Sequence, residues 1–243
     1  EHSMEVQIAL GADIVMAFDE CTEYPATRER ARESLELTMR WARRSRDYFL
    51  AHAQEVPWGN KENGGYDGAT QDLFGIVQGG MYQDLRRECA ERLVELDLPG
   101  YAIGGLSVGE PRQHTRDMIE ATLPLLPADK PRYVMGVGYP EEIVEYAAMG
   151  VDMMECVTPT RASRHGLLFT SQGRLNIKNQ RYTEDQNPPD PACKCMVCRR
   201  YTRAYLRHLA LAQEPLGGAG NSIHNLSLYL DTMQSVRDAI SLG

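Results

Sequence analysis

Three pieces of sequence decide the fold class of this chain: LFGIVQGG at residues 73–80, an amphipathic helical pattern at residues 81–97, and YAIGG at residues 101–105. The two apolar pieces have few alternating polar positions, as is typical of strands covered on both faces of a parallel sheet. A helical pattern between two such strands predicts a unit in which a strand, a helix and a second strand follow one another, with the strands parallel.

The same alternation continues on both sides of this stretch. Further strands are predicted at residues 13–18, 133–137, 151–157 and 175–178, and further helices at residues 27–54, 111–123 and 140–149. A segment rich in Gly, Asn and Pro at residues 57–70 predicts a loop. Residues 3–10 are typical of the end of an amphipathic helix, so we expect the chain to begin within a domain.

Polar residues or glycines follow five of the predicted strands. They are Asp19-Glu20-Cys21, Gln78-Gly79-Gly80, Gly104-Gly105, Met135-Gly136 and Glu155-Cys156. In a (β/α)8 barrel the active site lies at the carboxyl ends of the strands, whereas a doubly wound sheet concentrates its site at one switch point with a glycine-rich fingerprint. The sequence has neither that fingerprint nor a P-loop. We therefore predict an α/β fold of the (β/α)8 TIM barrel type, with barrel strands three to eight present.

The charged residues are unevenly distributed. The whole chain has a formal net charge of −8, yet residues 161–210 contain ten Lys or Arg and only three Asp or Glu. A basic segment on an acidic body favours docking of a polyanion at one place, although a solvated basic surface would have the same composition. No apolar run is long enough to span a membrane and no signal peptide opens the chain, so we expect a cytoplasmic protein.

Three of the six cysteines lie within six residues of one another. The spacing Cys193-x-Cys195-x2-Cys198, with His224 further along, is typical of a site in which three thiolates and one imidazole hold Zn2+. Such a tetrahedral site is closed, because no position is left for water, so we expect one structural zinc per chain.

The segments around the cysteines leave two alternatives open. A helix is predicted at residues 199–213 and a loop at residues 217–221, and these carry the chain from the cysteines to His224. His208 is the alternative fourth ligand, although it lies within the predicted helix. Free cysteines without a metal are the simpler interpretation of the same residues.

Six motifs, in the same order along the chain, resemble those of the tRNA-guanine transglycosylase family. They are Asp19-Glu20-Cys21, GIVQGG at residues 75–80, GGLSVGE at 104–110, MGVG at 135–138, Pro159-Thr160-Arg161 and the Cys3His set. The resemblance covers residues 4–241 and implies a barrel with an inserted zinc-binding subdomain. It divides the chain into the C-terminal portion of the catalytic barrel (1–180), the zinc-binding subdomain (181–226) and a helix that packs back on the barrel (227–243). The family's N-terminal region, with two barrel strands, an acid/base aspartate and a base-stacking aromatic residue, has no counterpart in the sequence.

The resemblance also assigns roles to residues at the strand ends. Asp19 is expected to accept hydrogen bonds from the ring N–H and exocyclic amine of a guanine-like base, and Gln78 to donate to its carbonyl oxygen. The backbone at Gly104 and Gly105 can approach the base closely because no Cβ intervenes. Met135 is expected to pack on the face of the ring.

The family's nucleophile is an aspartate, and Glu155 occupies the matching position. Because side chains alternate along a strand, Glu155 and Asp152 should face opposite sides, and Glu155 is nearer the carboxyl end. Glu155 is therefore expected to form the covalent intermediate with the ribose. Arg161 and Arg164 match arginines that contact the anticodon loop of tRNA, where the guanidinium fork suits phosphates and base edges.

The implied function is that of a pentosyltransferase in queuosine biosynthesis. Such a tRNA-guanine transglycosylase exchanges the wobble guanine of tRNA for 7-aminomethyl-7-deazaguanine through a covalent carboxylate–ribose intermediate. Cys21, Val108 and Glu110 favour the aminomethyl base over queuine, and residues 201–205 supply aromatic anchors for a homodimer. Three alternatives stay open: a non-catalytic paralogue or accessory RNA-binding subunit, a DNA 7-deazaguanine transglycosylase, and a zinc-stabilised RNA-binding module without activity.

Overall fold

A computed structural model describes residues 1–53 and 71–243, so the predicted loop at residues 57–70 lies outside the described residues. The chain divides into two compact units. The first comprises Glu1–Val137 and Ala148–Glu155, and the second comprises Gly138–Ala147 and Cys156–Gly243. Within the described residues, no helix is both long and apolar enough to cross a membrane.

A five-stranded parallel sheet forms the centre of the first unit. Its strands are β1 (Ile14–Met16), β2 (Asp72–Val77), β3 (Gly100–Ile103), β4 (Arg132–Val134) and β5 (Met153–Met154). Each strand pairs with the next one along the chain, so the order in the sheet is the order in the sequence. The sheet has no switch point at which the strand order reverses, as a doubly wound sheet would. The predicted α/β fold is confirmed, and the sheet is consistent with a TIM-like barrel.

Helices follow the strands as the sequence predicts. The helices are α1 (His2–Ala9), α2 (Arg28–His52), α3 (Gln83–Val94), α4 (Arg112–Thr122) and α5 (Pro140–Met149), the last mostly within the second unit. The start of α2 is capped by Thr27, whose side chain accepts a hydrogen bond from the N–H of Arg30. This bond satisfies one of the N–H groups that a helix start leaves without an internal partner. The buried face of α2 follows the helical period and includes Ala31, Leu35, Met39 and Ala42.

The centre of the sheet packs tightly where β2 and β3 meet. Phe74 and Gly100 are paired in the register of the two strands, and both are buried. A Cβ added to Gly100 would lie 2.3 Å from Cζ of Phe74. The ring therefore lies directly on the backbone of the neighbouring strand, in space that any other residue would fill.

The second unit consists of helices and one hairpin. It contains most of α5 and, further along the chain, α6 (Thr158–Arg164), β6 (Leu167–Thr170), β7 (Gly173–Asn176), α7 (Met196–Arg200), α8 (Arg203–Leu211) and α9 (Pro215–Leu242). The two strands pair antiparallel. Their apolar residues and those of the helices form one core, made of Leu168, Leu175, Ile177, Tyr182, Val197, Leu206 and Leu209.

The predicted strand at residues 175–178 does not extend the parallel sheet. It overlaps β7, whose partner is β6, so the described residues supply five parallel strands and not six. The cause is a tight turn between the two strands. The hydroxyl of Thr170 donates to the carbonyl of Gly173 at 2.7 Å, and Gly173 has a φ of 106°, which favours glycine.

Two predictions between the cysteines and His224 were also wrong. The predicted helix at residues 199–213 is divided into α7 and α8, because Thr202 caps the second helix by accepting a hydrogen bond from the N–H of Tyr205. The predicted loop at residues 217–221 lies inside α9, which begins at Pro215. Gly217 serves close packing there, since an added Cβ would lie 3.0 Å from Cβ of Leu209.

Replacing Gly100 by alanine should destabilise the first unit, because the new Cβ would overlap the ring of Phe74. We expect the free energy of unfolding, measured by urea denaturation, to fall by about 1–3 kcal/mol, as is typical of an overpacked core. Gly218→Ala is the matched control. Gly218 lies in α9 with no atom within 4 Å of an added Cβ, so alanine there should be neutral or stabilising. Equal losses in the two variants would contradict this account of Gly100.

Candidate functional site

The carboxyl ends of the five strands bring predicted site residues to one edge of the sheet in the first unit. The residues that follow β1 to β5, in that order, are Asp19, Gln78, Gly104, Met135 and Glu155. The strand predicted at residues 151–157 is only Met153–Met154, so Glu155 comes directly after its end. Because the strands are parallel neighbours, these ends lie side by side.

Gln78 holds the carboxylate of Asp19 in place. Nε2 of Gln78 donates to Oδ2 of Asp19 at 2.7 Å. A carboxylate can only accept, so the amide nitrogen of Gln78 must face it. Burial raises the pKa of Asp19, and the hydrogen bond from Gln78 opposes that shift. Gln78 itself is fully buried, and its Oε1 has no hydrogen-bond partner among the described residues.

Gly104 and Gly105 leave room for the amide of Gln78. An added Cβ would lie 2.8 Å from Nε2 of Gln78 at Gly104 and 2.3 Å from its Oε1 at Gly105, where φ is 64°. The N–H of Gly104 donates to the carbonyl of Val77 at 3.0 Å. The pKa of the Cys21 thiol is raised by burial and by the charge of Asp19, and a hydrogen bond from the N–H of Gly105 opposes both. Both N–H groups therefore have partners within the protein, and the glycines serve close packing around Gln78.

The loop after β3 is fixed by Glu110. Its Oε1 accepts from the N–H of Ser107 and the hydroxyl of Thr115, each at 2.6 Å, and its Oε2 accepts from the N–H of Val108 at 2.9 Å. Burial raises the pKa of Glu110, but these hydrogen bonds outweigh it and the pKa is lowered. Glu110 acts on the site through the backbone of residues 107–108.

Glu155 is held at the carboxyl end of β5 by two contacts. Its Oε1 accepts from the N–H of Gly136 at 2.8 Å. The pKa of Tyr133 is raised by burial, by the charge of Glu155 and by a hydrogen bond to its carboxylate. The side chain of Glu155 is exposed, so its carboxylate is accessible to a substrate.

Asp152 directly precedes β5, at the end of β5 opposite to Glu155. Its Oδ2 accepts from the N–H of Arg132 at 2.8 Å and lies 3.6 Å from Nε of Arg132. Arg132 begins β4, so Asp152 is at the amino ends of the strands, away from Asp19 and Gln78. The two carboxylates thus lie at opposite ends of β5. Neither residue is part of the two-residue strand, so the predicted alternation of faces does not apply to them.

Arg161 and Arg164 belong to the second unit. Both lie on α6 and both are exposed. Arg164 lines a cleft of about 650 Å³ together with Lys178 and the first turns of α9. Two cations on one accessible face suit a polyanion.

The second unit also brings together the four predicted metal ligands. The ligand atoms of Cys193, Cys195, Cys198 and His224 all lie within 4.8 Å of one another. Nδ1 of His224 is 3.3 Å from Sγ of Cys198 and 3.8 Å from Sγ of Cys195. A tetrahedral ion with bonds of roughly 2.0–2.3 Å needs ligand atoms about 3.3–3.8 Å apart, so this group could hold a metal ion. His208, the alternative ligand, is exposed on α8.

The surroundings of the four ligands orient them. His224 is fully buried on α9, and its Nε2 bonds to the carbonyl of Phe169 at 2.8 Å. That bond places the proton on Nε2 and leaves Nδ1 free to bind a metal, as in many metal sites. The side chain of Cys195 accepts from the N–H of Cys198 and caps α7. Asp190, at the proline-rich lead-in, accepts from the N–H groups of Ser171 and Ala192.

Two residues at the edge of the sheet gave no signal in the sequence. Tyr133 resembles an ordinary apolar strand residue until β5 brings Glu155 beside it. Arg86 resembles a surface residue of an amphipathic helix, yet it is fully buried. Both depend on contacts between segments far apart in sequence.

Comparison with known proteins agrees with the resemblance in the motifs. The family model described as queuine tRNA-ribosyltransferase matches residues 1–243. A Queuine tRNA-ribosyltransferase of Koribacter versatilis (strain Ellin345) is 63% identical over 247 residues, covering 100% of this chain and 62% of that protein. That of Solibacter usitatus (strain Ellin6076) is 51% identical over 243 residues, covering 100% of this chain and 61% of the relative. That of Syntrophobacter fumaroxidans (strain DSM 10017 / MPOB) is 52% identical over 240 residues, covering 99% and 60%.

The chain spans about three fifths of the length of these curated relatives. The match nevertheless includes every residue of the chain, and the motifs at the strand ends and the four clustered metal ligands fall within it. The chain therefore belongs to the queuine tRNA-ribosyltransferase family.

Proposed function

We propose that this chain is part of a tRNA-guanine transglycosylase, a pentosyltransferase that exchanges the wobble guanine of tRNA for 7-aminomethyl-7-deazaguanine in queuosine biosynthesis. The observation that carries the proposal is the hydrogen-bonded pair of Asp19 and Gln78 at the same sheet edge as the accessible carboxylate of Glu155. The names of the relatives support it. The parallel sheet would then be part of a (β/α)8 barrel whose active site lies at the carboxyl ends of the strands.

The base would be recognised by its pattern of donors and acceptors. Guanine and 7-deazaguanines carry a ring N–H beside an exocyclic amine, and the carboxylate of Asp19 can accept from both. The second hydrogen on Nε2 of Gln78 can donate to the carbonyl oxygen of the base. Met135, which is half-buried, would pack on the face of the ring. Adenine lacks the ring N–H and would leave Asp19 unpaired, so it would bind poorly.

The exchange would proceed in two displacements at the ribose. The carboxylate of Glu155 attacks the anomeric carbon, the bond from that carbon to guanine breaks, and guanine leaves with the bonding electrons and takes up a proton. The covalent enzyme–tRNA intermediate is then attacked by the ring nitrogen of the incoming base, which loses a proton as the carboxylate departs. The N–H of Gly136 and the hydroxyl of Tyr133 would orient the carboxylate.

Glu155 should be essential in this scheme and Asp152 should not. In guanine exchange into tRNA by the intact protein, Glu155→Gln should abolish turnover and the covalent adduct seen by mass spectrometry, because an amide is not a nucleophile at carbon. Glu155→Asp should keep or raise activity, since an aspartate is the family's residue and a misplacement of about 1 Å can cost about a hundredfold in rate. Asp152→Asn is the control and should still form the adduct. Unchanged exchange by Glu155→Gln would rule out this nucleophile.

Base affinity should depend on the ionisation of Asp19. Only the carboxylate accepts from both donors of the base, and the pKa of Asp19 lies above its ordinary value of 3.8. Affinity for guanine, measured by calorimetry, should therefore be full at neutral pH and decline as the pH falls through that raised pKa. Asp19→Asn should weaken binding about tenfold to a hundredfold, the value of a hydrogen bond to a charged group, and remove this pH dependence. Asp117, a half-buried residue of α4 that accepts a hydrogen bond from Gln113, provides the control: Asp117→Asn should retain both the affinity and its pH dependence.

The metal at the Cys3His group would be zinc in a structural role. Three thiolates and one imidazole are the donor set that Zn2+ prefers, and four protein ligands leave no position for substrate. Cys193, Cys195, Cys198 and His224 would hold the ion, and its binding energy would stabilise the fold of the surrounding segment. We further propose that residues 181–226 form a zinc-binding subdomain inserted between the barrel (1–180) and a terminal helix (227–243).

One zinc per chain should be found by elemental analysis of protein purified without chelators. Cys198→Ser should lose the metal and increase hydrogen exchange over residues 187–226, because the binding energy of structural zinc is folding energy. Cys156→Ser is the control, since Cys156 lies outside the ligand group, and it should retain the zinc. A protein that is folded and free of stoichiometric zinc would contradict the proposal.

The same proposal assigns partners to the exposed surfaces. Arg161 and Arg164 would bind the anticodon loop of tRNA. Val108 would restrict the pocket beside the 7-substituent of the base, and Glu110, through the backbone of residues 107–108, would favour the ammonium of the aminomethyl base over queuine.

A homodimer would place aromatic residues of the second unit at its interface. The rings of Tyr201 and Tyr205 are stacked with centroids 5.3 Å apart, and Tyr205 is 40% exposed. Further exposed apolar side chains in this unit are Met196, Leu216 and Ile223. Stacked tyrosines with apolar neighbours are typical of an interface core.

A second candidate, a non-catalytic paralogue that binds RNA, is favoured by one observation. Glu155 replaces the family's aspartate, and its Oε1 already accepts from the N–H of Gly136. The adduct assay separates the two candidates, since a non-catalytic paralogue forms no covalent intermediate with either carboxylate at this position.

A further inference from the structure

Arg86 is a fully buried arginine on α3, at the edge of the sheet that carries the proposed site. Its side chain has no exposed surface, a rare environment for arginine unless a carboxylate pairs with it. Its hydrogen-bond partners among the described residues are three backbone carbonyls. Burial lowers its pKa to about 10, so the guanidinium still carries its charge at neutral pH.

The three carbonyls belong to the loops that follow two neighbouring strands. Nε of Arg86 donates to the carbonyl of Gly80, after β2, at 2.8 Å. Nη2 donates to the carbonyl of Gly104, after β3, at 3.0 Å, with that of Gly105 at 3.4 Å. One rigid, planar group therefore joins the loop after Gln78 to the glycine pair that encloses the Gln78 amide.

The backbone of Gln78 and Gly79 packs closely against α3 near Arg86. A Cβ added to Gly79, whose φ is 142°, would lie 2.7 Å from the backbone nitrogen of Arg86. The N–H of Gln78 lies against Sγ of Cys89, one turn further along α3, at 3.3 Å. The first turns of α3 thus contact the backbone on both sides of the Gln78 side chain.

Arg86 does more in this position than fill space in the core. An apolar side chain of similar volume would fill the site without the cost of burying a charge that forms no salt bridge with a carboxylate of the described residues. The guanidinium of arginine carries five N–H donors in a fixed plane, so one side chain can hold the carbonyl oxygens of two loops in a defined geometry. The buried guanidinium instead fixes the distance between the two strand-end loops, since it donates hydrogen bonds to both.

We infer that Arg86 is a positioning residue of the base pocket: it fixes the turn of Gly104 and Gly105 against Gln78 and thereby sets the affinity for the free base. It acts through backbone carbonyls and Gln78 and does not touch the substrate. The inference rests on the proposed function, because it takes Gln78 and Asp19 to be the base-binding pair. It predicts a larger effect on the free base than on tRNA, because tRNA is also held by Arg161 and Arg164 in the proposed function.

The test compares Arg86→Met, Arg86→Lys and Leu93→Ala in the intact protein. Leu93 is a buried residue of α3 that packs against Gly75, so Leu93→Ala reproduces a loss of stability on the same helix without touching the strand-end loops. Guanine exchange is measured while the concentrations of free base and of tRNA are varied separately, and unfolding by urea ranks the stabilities.

We expect Arg86→Met to raise the KM for the free base about tenfold or more, with the KM for tRNA and kcat changed less than threefold, since a loss of ground-state and transition-state binding together appears in KM alone. Arg86→Lys should lie between Arg86→Met and the parent, because lysine keeps the charge and donors but not the planar fork. Leu93→Ala should keep the parent's KM for the base. If Arg86→Met does not fold, the comparison of Arg86→Lys with Leu93→Ala decides the matter in the same way.

The inference would be overturned by a parent-like KM for the base in Arg86→Met or Arg86→Lys, or by equal rises in the constants for base and tRNA. Calorimetry with guanine separates this failure from failure of the proposed function. A parent that binds guanine but exchanges none would refute the exchange reaction alone, and Arg86 would still be tested by the affinity of its variants. A parent that binds no guanine would overturn the base pocket and the inference with it.

Discussion

Parallel pairing of neighbouring strands is the constraint on which the proposed site depends. It places the carboxyl ends of β1 to β5 at one edge, so Asp19 and Gln78, which are separated by all of α2, come within 2.7 Å. The register matters as much as the direction. The N–H of Ala17 donates to the carbonyl of Phe74 at 2.9 Å, and a slip of one residue would turn the side chains of β1 to the other face.

Small residues and hydrogen bonds between distant segments make the burial of polar groups at this edge possible, although Oε1 of Gln78 and Nη1 of Arg86 have no hydrogen-bond partner among the described residues. Gln78 is enclosed because Gly104 and Gly105 carry no Cβ, and its amide then has to face Asp19. Arg86 joins the two strand-end loops through hydrogen bonds to the carbonyls of Gly80 and Gly104. Each of these groups would be costly to bury alone, so the edge is stable only as a connected set. In the proposed function, such a set would hold a planar base in one orientation, because its members are hydrogen-bonded to one another.

The second unit combines an apolar core with the group of candidate metal ligands. Its core cluster has seven buried residues, which lie on the hairpin, the segment after it, α7 and α8. A metal ion at the Cys3His group would link the lead-in loop, α7 and α9 through bonds far stronger than further apolar contacts. The carbonyl of Phe169 on β6 orients His224, so the hairpin also takes part in the ligand geometry.

The sequence by itself determined the features that depend on local pattern. These include the alternation of strands and helices, the residues at the strand ends, and the ligand spacing, because periodicity and short spacings are properties of neighbouring residues.

Only the tertiary structure decided which segments pair. Residues 175–178 have the composition of a barrel strand but lie in a hairpin, because β6 comes before them and a tight turn reverses the chain. Gly217 has the composition of a loop but lies in α9, where the absence of a Cβ lets Leu209 pack against it. Tyr133 and Arg86 contact residues that are distant in sequence, Glu155 and Gly104 respectively. A local sequence pattern does not predict such contacts.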